Sequence, residues 1–234
     1  MTENFLIPSI EKRLAALLEF NRRKELEAAQ KSRSKKAEPT ITLSREFGCE
    51  AYPVAERLQE MLEAKTGKSW VVIDKGLLEK VASNHNLSEE VLRHLGEKNL
   101  FLDDMLATFS PNWKSDKDVF QPLCHYISAL AGAGNVIIVG RGSAFITQSM
   151  KNCCHFRLYA SPGFKNSSIR QRLNLSEEEA DKLISRMQKQ RDRFIRAFID
   201  RDPHDMSIYH LLFNNDRNGP EKIARTIVEY VLGQ

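Results

Sequence analysis

The chain predicts an α/β protein, a three-layer sandwich built on a five-stranded parallel sheet with an N-terminal helix in front of it. Short, mostly apolar runs at residues 40–44, 70–73, 136–139, 156–160 and 211–213 read as strands buried on both faces, the mark of a parallel sheet. Helix-like segments separate these runs and supply the crossovers that parallel strands require. Two of the helices announce their starts: Ser176 with Glu179 forms a capping box, and Pro220 follows Gly219 at a first helical position.

Taken in order, residues 9–30 are rich in helix formers, and Ile10, Leu14, Leu17, Leu18 and Leu26 fall mostly on one stripe. Such a helix packs on the body of the protein or on a partner, and a homodimer formed through it is an expected outcome. The polar, basic run KSRSKKAEP then reads as a linker that stops at Pro39. The first unit is therefore residues 1–38, and residues 39–234 form the α/β domain. Its helices are expected at residues 53–64, 76–83, 88–96, 116–131, 144–150, 163–173, 177 to about 199, and 220–232. Residues 83–134 form a mostly helical insertion.

A length of 234 residues with 41% hydrophobic content can bury a substantial core. No run approaches the roughly 20 apolar residues that cross a bilayer, and the N-terminus lacks the basic-then-apolar order of a secretory signal. The expectation is a cytoplasmic protein with no membrane partner. Cys49, Cys124, Cys153 and Cys154 show no CxxC spacing, so they read as buried or half-buried thiols. A metal site at Cys153, Cys154 and His155 is the lesser alternative, and no metal ligand set is expected. Net charge is +4, of which residues 1–38 hold +3, and a chain that wraps nucleic acid shows a larger excess, so nucleic acid is not an expected partner. Residues 157–201, however, carry eleven Lys/Arg against six Asp/Glu, which suits an anionic ligand.

Three constellations could serve that ligand. The run ITLSREFGCEAYPV at residues 41–54 places a turn at Gly48 between a strand and a proline-started helix, where free amides and the helix dipole favour an anion. The lysine and hydroxyl of the GxxxxGK[ST] pattern are absent. Gly140-Arg141-Gly142 follows the apolar VIIV run and can aim a guanidinium fork at a phosphate. Asp74-Lys75 ends another strand on the same rim. On the long helix, Arg186, Lys189 and Arg193 share a face, with Arg191, Arg196 and Arg201 nearby. Asp103-Asp104 and His94 have no partners at informative spacing.

Together SREFG at residues 44–48, Asp74-Lys75, VGRG at residues 139–142, LSEEEA leading into QKQRDRFIR, and YHLLFNN at residues 209–215 resemble the cytidylate kinase-like family of P-loop proteins. The resemblance spans roughly residues 40–232 and implies a nucleoside monophosphate kinase fold with a lid at about residues 176–205. It implies a phosphate loop drawn from Ser44, Arg45, Gly48, Cys49, Glu50 and Ala51, an acceptor side at Asp74 and Arg141, and a lid bearing Arg191, Arg193 and Arg196. Asn214 and Asn215 match the strand end that borders the nucleotide base. The implied activity is ATP-dependent phosphoryl transfer to a nucleoside monophosphate or similar small acceptor, with Mg²⁺ held through the phosphates and with Arg45, Arg141, Arg191 and Arg193 as the catalytic cations.

Where family members often read SREFGSGGR, this chain continues Cys49-Glu50-Ala51-Tyr52. One missing charge contact near 4 Å is worth roughly 4 kcal/mol at an effective dielectric of about 20, and even half of that slows transfer about thirtyfold. Arg45 or Lys75 could replace the cation, and Glu50 could hold Mg²⁺ through water. A non-catalytic nucleotide sensor signalling through the N-terminal helix is the alternative function.

Overall fold

The computed structural model describes residues 7–30, 38–82 and 117–233. Along them run α1 (Ile10–Gln30), β1 (Thr40–Arg45), α2 (Ala51–Thr66), β2 (Val71–Asp74), α3 (Lys75–Ala82) and α4 (Lys117–Ala133). Then follow β3 (Val136–Val139), α5 (Ser143–Ile146), β4 (Cys153–Tyr159), α6 (Pro162–Leu173), α7 (Glu177–Phe194), β5 (Leu211–Asn214) and α8 (Pro220–Leu232). The expected helix at residues 88–96, Asp103-Asp104 and His94 lie outside the described residues.

The five strands form one parallel sheet in the order β2-β3-β1-β4-β5, with Leu43 of β1 registered to Val139 on one side and Phe156 on the other. The connection after β1 runs to one edge of the sheet while those after β3 and β4 run toward the other. A crevice therefore opens beyond the carboxyl ends of β1 and β3, the place where open α/β sheets bind ligands.

Local chemistry explains the boundaries. Gly67 takes φ 66° and returns its N–H to Glu63 O at 2.9 Å, closing α2. Ser161 accepts the Phe164 N–H at 3.2 Å to start α6, with Pro162 in its first turn. The capping box of α7 forms as expected, Glu179 accepting the Ser176 N–H at 2.9 Å. Other details differ from the expectation. Helix α2 begins at Ala51, so Pro53 is its third residue, still within the turn whose N–H groups have no helical partner. The long helix changes at Ile195–Ile199 to a wider π-helical turn and ends at Asp200, at φ 54°.

One face of the sheet packs against α1, α3 and α4 through residues such as Ile73, Leu77, Ile127 and Ile138, and the other against α2 and α8 through Leu43, Leu58, Phe156 and Ile227. Helix α1 is part of the first layer: Leu17 is 1% exposed and Phe20 3%, with Leu14 and Leu18 packed beside them. The apolar stripe is thus taken up by this chain's own core, and Leu26 is left outside it at 51% exposure. Strand β4 begins three residues earlier than the sequence suggests, at Cys153. Successive strand residues point to opposite faces, so Cys153 enters one core layer and Cys154 the other. Both are free thiols, and burial pushes Cys153 up to about 12.

His155 is buried between the layers, its Nδ1 2.8 Å from Thr42 Oγ1, with the His210 ring 5.4 Å away. Burial, and then His210, push its pKa from 6.5 down to about 4. Between those values the unfolded chain binds a proton that the folded one does not. Stability is therefore full above the ordinary value and falls as pH drops toward the depressed one, by up to roughly 3 kcal/mol. Denaturant titrations at pH about 7.5 and about 4.5 should show this loss in the wild type and a smaller loss in His155→Gln. Equal losses in both proteins would exclude His155 as the source.

Candidate functional site

A cleft of about 850 Å³ lies over the carboxyl ends of β1, β2 and β3. Its floor is the loop at residues 46–50. Gly48 takes φ 99°, and a Cβ there would stand 2.7 Å from Lys165 Cβ, so glycine is required both by the backbone and by the close approach of α6. Lys165 also pairs with Glu46 at 2.8 Å, pinning the loop's first residue. Several loop amides are used internally: Cys49 donates to Glu46 O at 3.3 Å, Glu50 to Asn215 Oδ1 at 2.8 Å, and Phe47 to Gln188 Oε1 at 2.9 Å. The amides of Gly48, Ala51 and Tyr52 have no hydrogen-bond partner among the described residues. These are the donors the loop can offer to an anion at the start of α2.

Around this floor stand the arginines. Arg45 ends β1 and Arg141 follows β3, the strand registered beside it. A Cβ on Gly140 would fall on the Arg45 guanidinium, so the glycine before Arg141 makes room for the other arginine. Arg141 itself sits at φ 57°, with its guanidinium 5.0 Å from the Phe194 ring. Burial, and then the charge of Arg45, push Arg141 down to about 10. Gly142 is overlain by Ile199 and Ile195 of the π-helical turn, where a Cβ would not fit.

Helix α7 closes over the loop. Arg191 donates to Arg45 O at 3.2 Å and lies 4.9 Å over the Phe47 ring, beside the bond from Phe47 to Gln188. Arg193 is exposed but lines the cleft, whereas Arg196 is exposed and does not. The face shared by Arg186, Lys189 and Arg193 borders a separate shallow hollow on the outside of the helix.

The remaining expected residues take these places. Ser44, Cys49, Glu50, Ala51, Asp74 and Lys75 line the cleft. Burial, followed by Glu46, pushes the Cys49 thiol up to about 12, which disfavours the thiolate at neutral pH. Glu50 accepts from Ser168 Oγ at 3.2 Å, which ties its carboxylate toward α6. Asp74 caps α3 by accepting the Leu77 N–H at 3.0 Å and pairs with Arg13 of α1. Asn214 and Asn215 do not line the cleft: Asn214 accepts the Asp216 N–H at 2.9 Å within a turn, and the buried Asn215 holds the loop through Glu50.

Sequence reasoning missed Arg13, Phe47, Arg157, Arg172 and Gln188, all of which line the cleft. Arg172 donates to Gly48 O at 3.1 Å. Arg157, 7% exposed, donates to Pro203 O at 2.9 Å and stacks 5.6 Å from the Tyr209 ring, with no carboxylate partner among the described residues. A lone arginine inside the apolar run of β4 was the one signal available for it.

Free amides at a helix start, ringed by arginines beyond the carboxyl ends of a parallel sheet, give this α/β protein a cleft with donors and charge suited to an anion. The cytidylate kinase-like family model matches residues 40–217, and the chain belongs to that family. A structure of an uncharacterized protein from Eubacterium ventriosum ATCC 27560 shares the fold, with TM-score 0.66 and 19% identity over 84% of this chain and 99% of that one. Dephospho-CoA kinase from Campylobacter jejuni aligns with TM-score 0.36 at 8% identity, over 84% of this chain and 98% of that one. A chain from the PezAT chromosomal toxin-antitoxin system of Streptococcus pneumoniae also gives TM-score 0.36, at 14% identity over 94% and 88% of the two chains. Those two scores are too low to bear on function. No curated protein matches, and no helix among the described residues is long and apolar enough to cross a membrane.

Family membership implies a nucleotide ligand, and the residues present fit one: cations surround the cleft and free amides face it. They fit Mg²⁺ only as an ion carried on phosphates, since no group of three His, Cys, Asp or Glu among the described residues could cage a metal.

Gly48→Ala should lower stability by about 2 kcal/mol or more and weaken binding of a non-hydrolysable ATP analogue. Thermal melts with calorimetric titration check it, and an alanine variant that melts and binds as the wild type would show that the loop is not built around that glycine.

Proposed function

We propose that the protein transfers the terminal phosphoryl group of ATP to a nucleoside monophosphate or a similar small phosphate acceptor. The observation behind this reading is the pair Arg45 and Arg141, which end neighbouring parallel strands and both line the cleft, the Arg45 guanidinium lying against Gly140. Two guanidinium groups that end neighbouring strands can both be drawn to a polyanion lying between them. The triphosphate would lie against the amides of Gly48, Ala51 and Tyr52, with Arg45 taking the place of the absent lysine. Arg141 and Arg191 would neutralise the equatorial oxygens of the transferring group, and Arg193 would reach in from the rim of the lid. Glu50 would hold Mg²⁺ through water as the ion arrives on the phosphates, and the ion would supply charge neutralisation there. Little covalent chemistry is asked of the side chains; they position the reactants and exclude water.

The bonds from Gln188 and Asn215 onto loop amides, with no lysine in the loop, favour a second reading. In it the same cleft binds nucleotide without turnover and acts as a sensor. A coupled assay with ATP and each nucleoside monophosphate separates the two. Turnover with one acceptor is expected, and Arg141→Ala should reduce it by about a hundredfold or more. Tight ATP binding with no product from any acceptor would overturn the kinase reading and leave the sensor. Arg45→Ala with unchanged nucleotide affinity would remove Arg45 as the substitute cation.

A further inference from the structure

We propose that the N-terminal helix completes the acceptor end of the cleft, with Arg13 supplying a cation to the acceptor's phosphate. This rests on the phosphotransferase reading above. The family match begins at residue 40, so α1 is an addition to the matched region, yet it is built into the wall of the cleft. Leu17 and Phe20 anchor it in the core layer beside β2 and α3. Arg13, one turn before Leu17, is thereby held at the end of β2.

The guanidinium is fixed from two sides. Nε donates to Pro8 O at 3.0 Å, and Nη1 pairs with Asp74, the two side chains being 12% and 13% exposed. Nη2 lies over the start of α3, where a Cβ on Gly76 would stand 3.5 Å from it. Arginine carries five N–H donors. The bonds to Pro8 and Asp74 leave the Nη2 donors without a partner among the described residues. Asp74 likewise binds Leu77 and Arg13 through Oδ1 alone, leaving Oδ2 without one. A fixed, mostly enclosed cation with donors to spare, in the wall of a cleft, suits an anion better than it suits a purely structural pair.

Strand order sets the spacing. With the sequence β2-β3-β1, the end of β2 lies two strands from the phosphate loop, about 10 Å at the usual strand separation. Arg141, after β3, falls between. Donor phosphates on the loop, the transferring group at Arg45 and Arg141, and the acceptor's own phosphate at Arg13 therefore form one line across the sheet ends. In that arrangement Asp74 is a positioning residue, orienting Arg13 and offering Oδ2 to a donor group on the acceptor.

The test is calorimetric titration of the full chain, as wild type, Arg13→Gln and Arg13→Lys, with each common ribonucleoside monophosphate and with a non-hydrolysable ATP analogue. Arg13→Gln should weaken monophosphate binding at least about tenfold while leaving the ATP analogue within about twofold, and Arg13→Lys should recover part of the loss. Thermal melts accompany each titration, and if the glutamine variant does not fold, the lysine variant bears the comparison. Unchanged or tighter monophosphate binding in the variants, or equal loss for both ligands, would overturn the role of Arg13. Wild-type protein that binds the ATP analogue but no monophosphate would instead overturn the phosphotransferase reading, and this role with it.

Discussion

The close approach of Arg45 to the backbone of Gly140 is the constraint on which the site depends. It requires β1 and β3 to lie side by side in parallel, a glycine at φ 80° where β3 ends, and a core rigid enough to hold two like charges together. The sheet meets those requirements because its central strands are buried on both faces and clamped between two helical layers. The free energy of that packing is what holds the cations in place before any ligand arrives.

Helix α7 is coupled to the same point. Arg191 and Gln188 reach back to the main chain of the loop, and the π-helical turn lies on Gly142, so α7 touches both strand ends that carry the central arginines. Movement of α7 therefore alters the Arg45 carbonyl, the Phe47 amide and the Arg141 ring contact at once. A wider turn at Ile195–Ile199 is a common way to re-aim a helix end at a functional site, and here it brings isoleucines onto glycine. From the opposite side α1 fixes Asp74 through Arg13, so the two helices that the sequence shows as amphipathic or basic bracket the cleft.

Much of this architecture was legible in the residues. Short, mostly apolar runs locate all five strands, and the capping box at Ser176 and the Gly219-Pro220 start are local chemistry that the fold reproduces without change. Gly48 was legible for a similar reason, since glycine takes a positive φ without strain. Side-chain destinations were less accessible. Asn215 stands at the strand end that the motif indicates, yet its Oδ1 accepts the Glu50 N–H and its Nδ2 donates to Asn218 O, so both ends of the amide are used within the protein. Whether α1 packs on the body or on a partner was not decidable from its stripe, since an apolar face looks alike whether it covers its own core or another chain.

The sequence alone determined the class of fold, the order of its elements and the turn at Gly48, because periodicity, capping and glycine conformation act over a few neighbouring residues. Only the tertiary structure decided which cations converge. Arg13, Arg45, Arg141, Arg157 and Arg191 come from separate elements, and their meeting depends on parallel register and helix docking, which join residues far apart in the chain. Electrostatic interaction depends on distance in space, and no spacing along the chain encodes it.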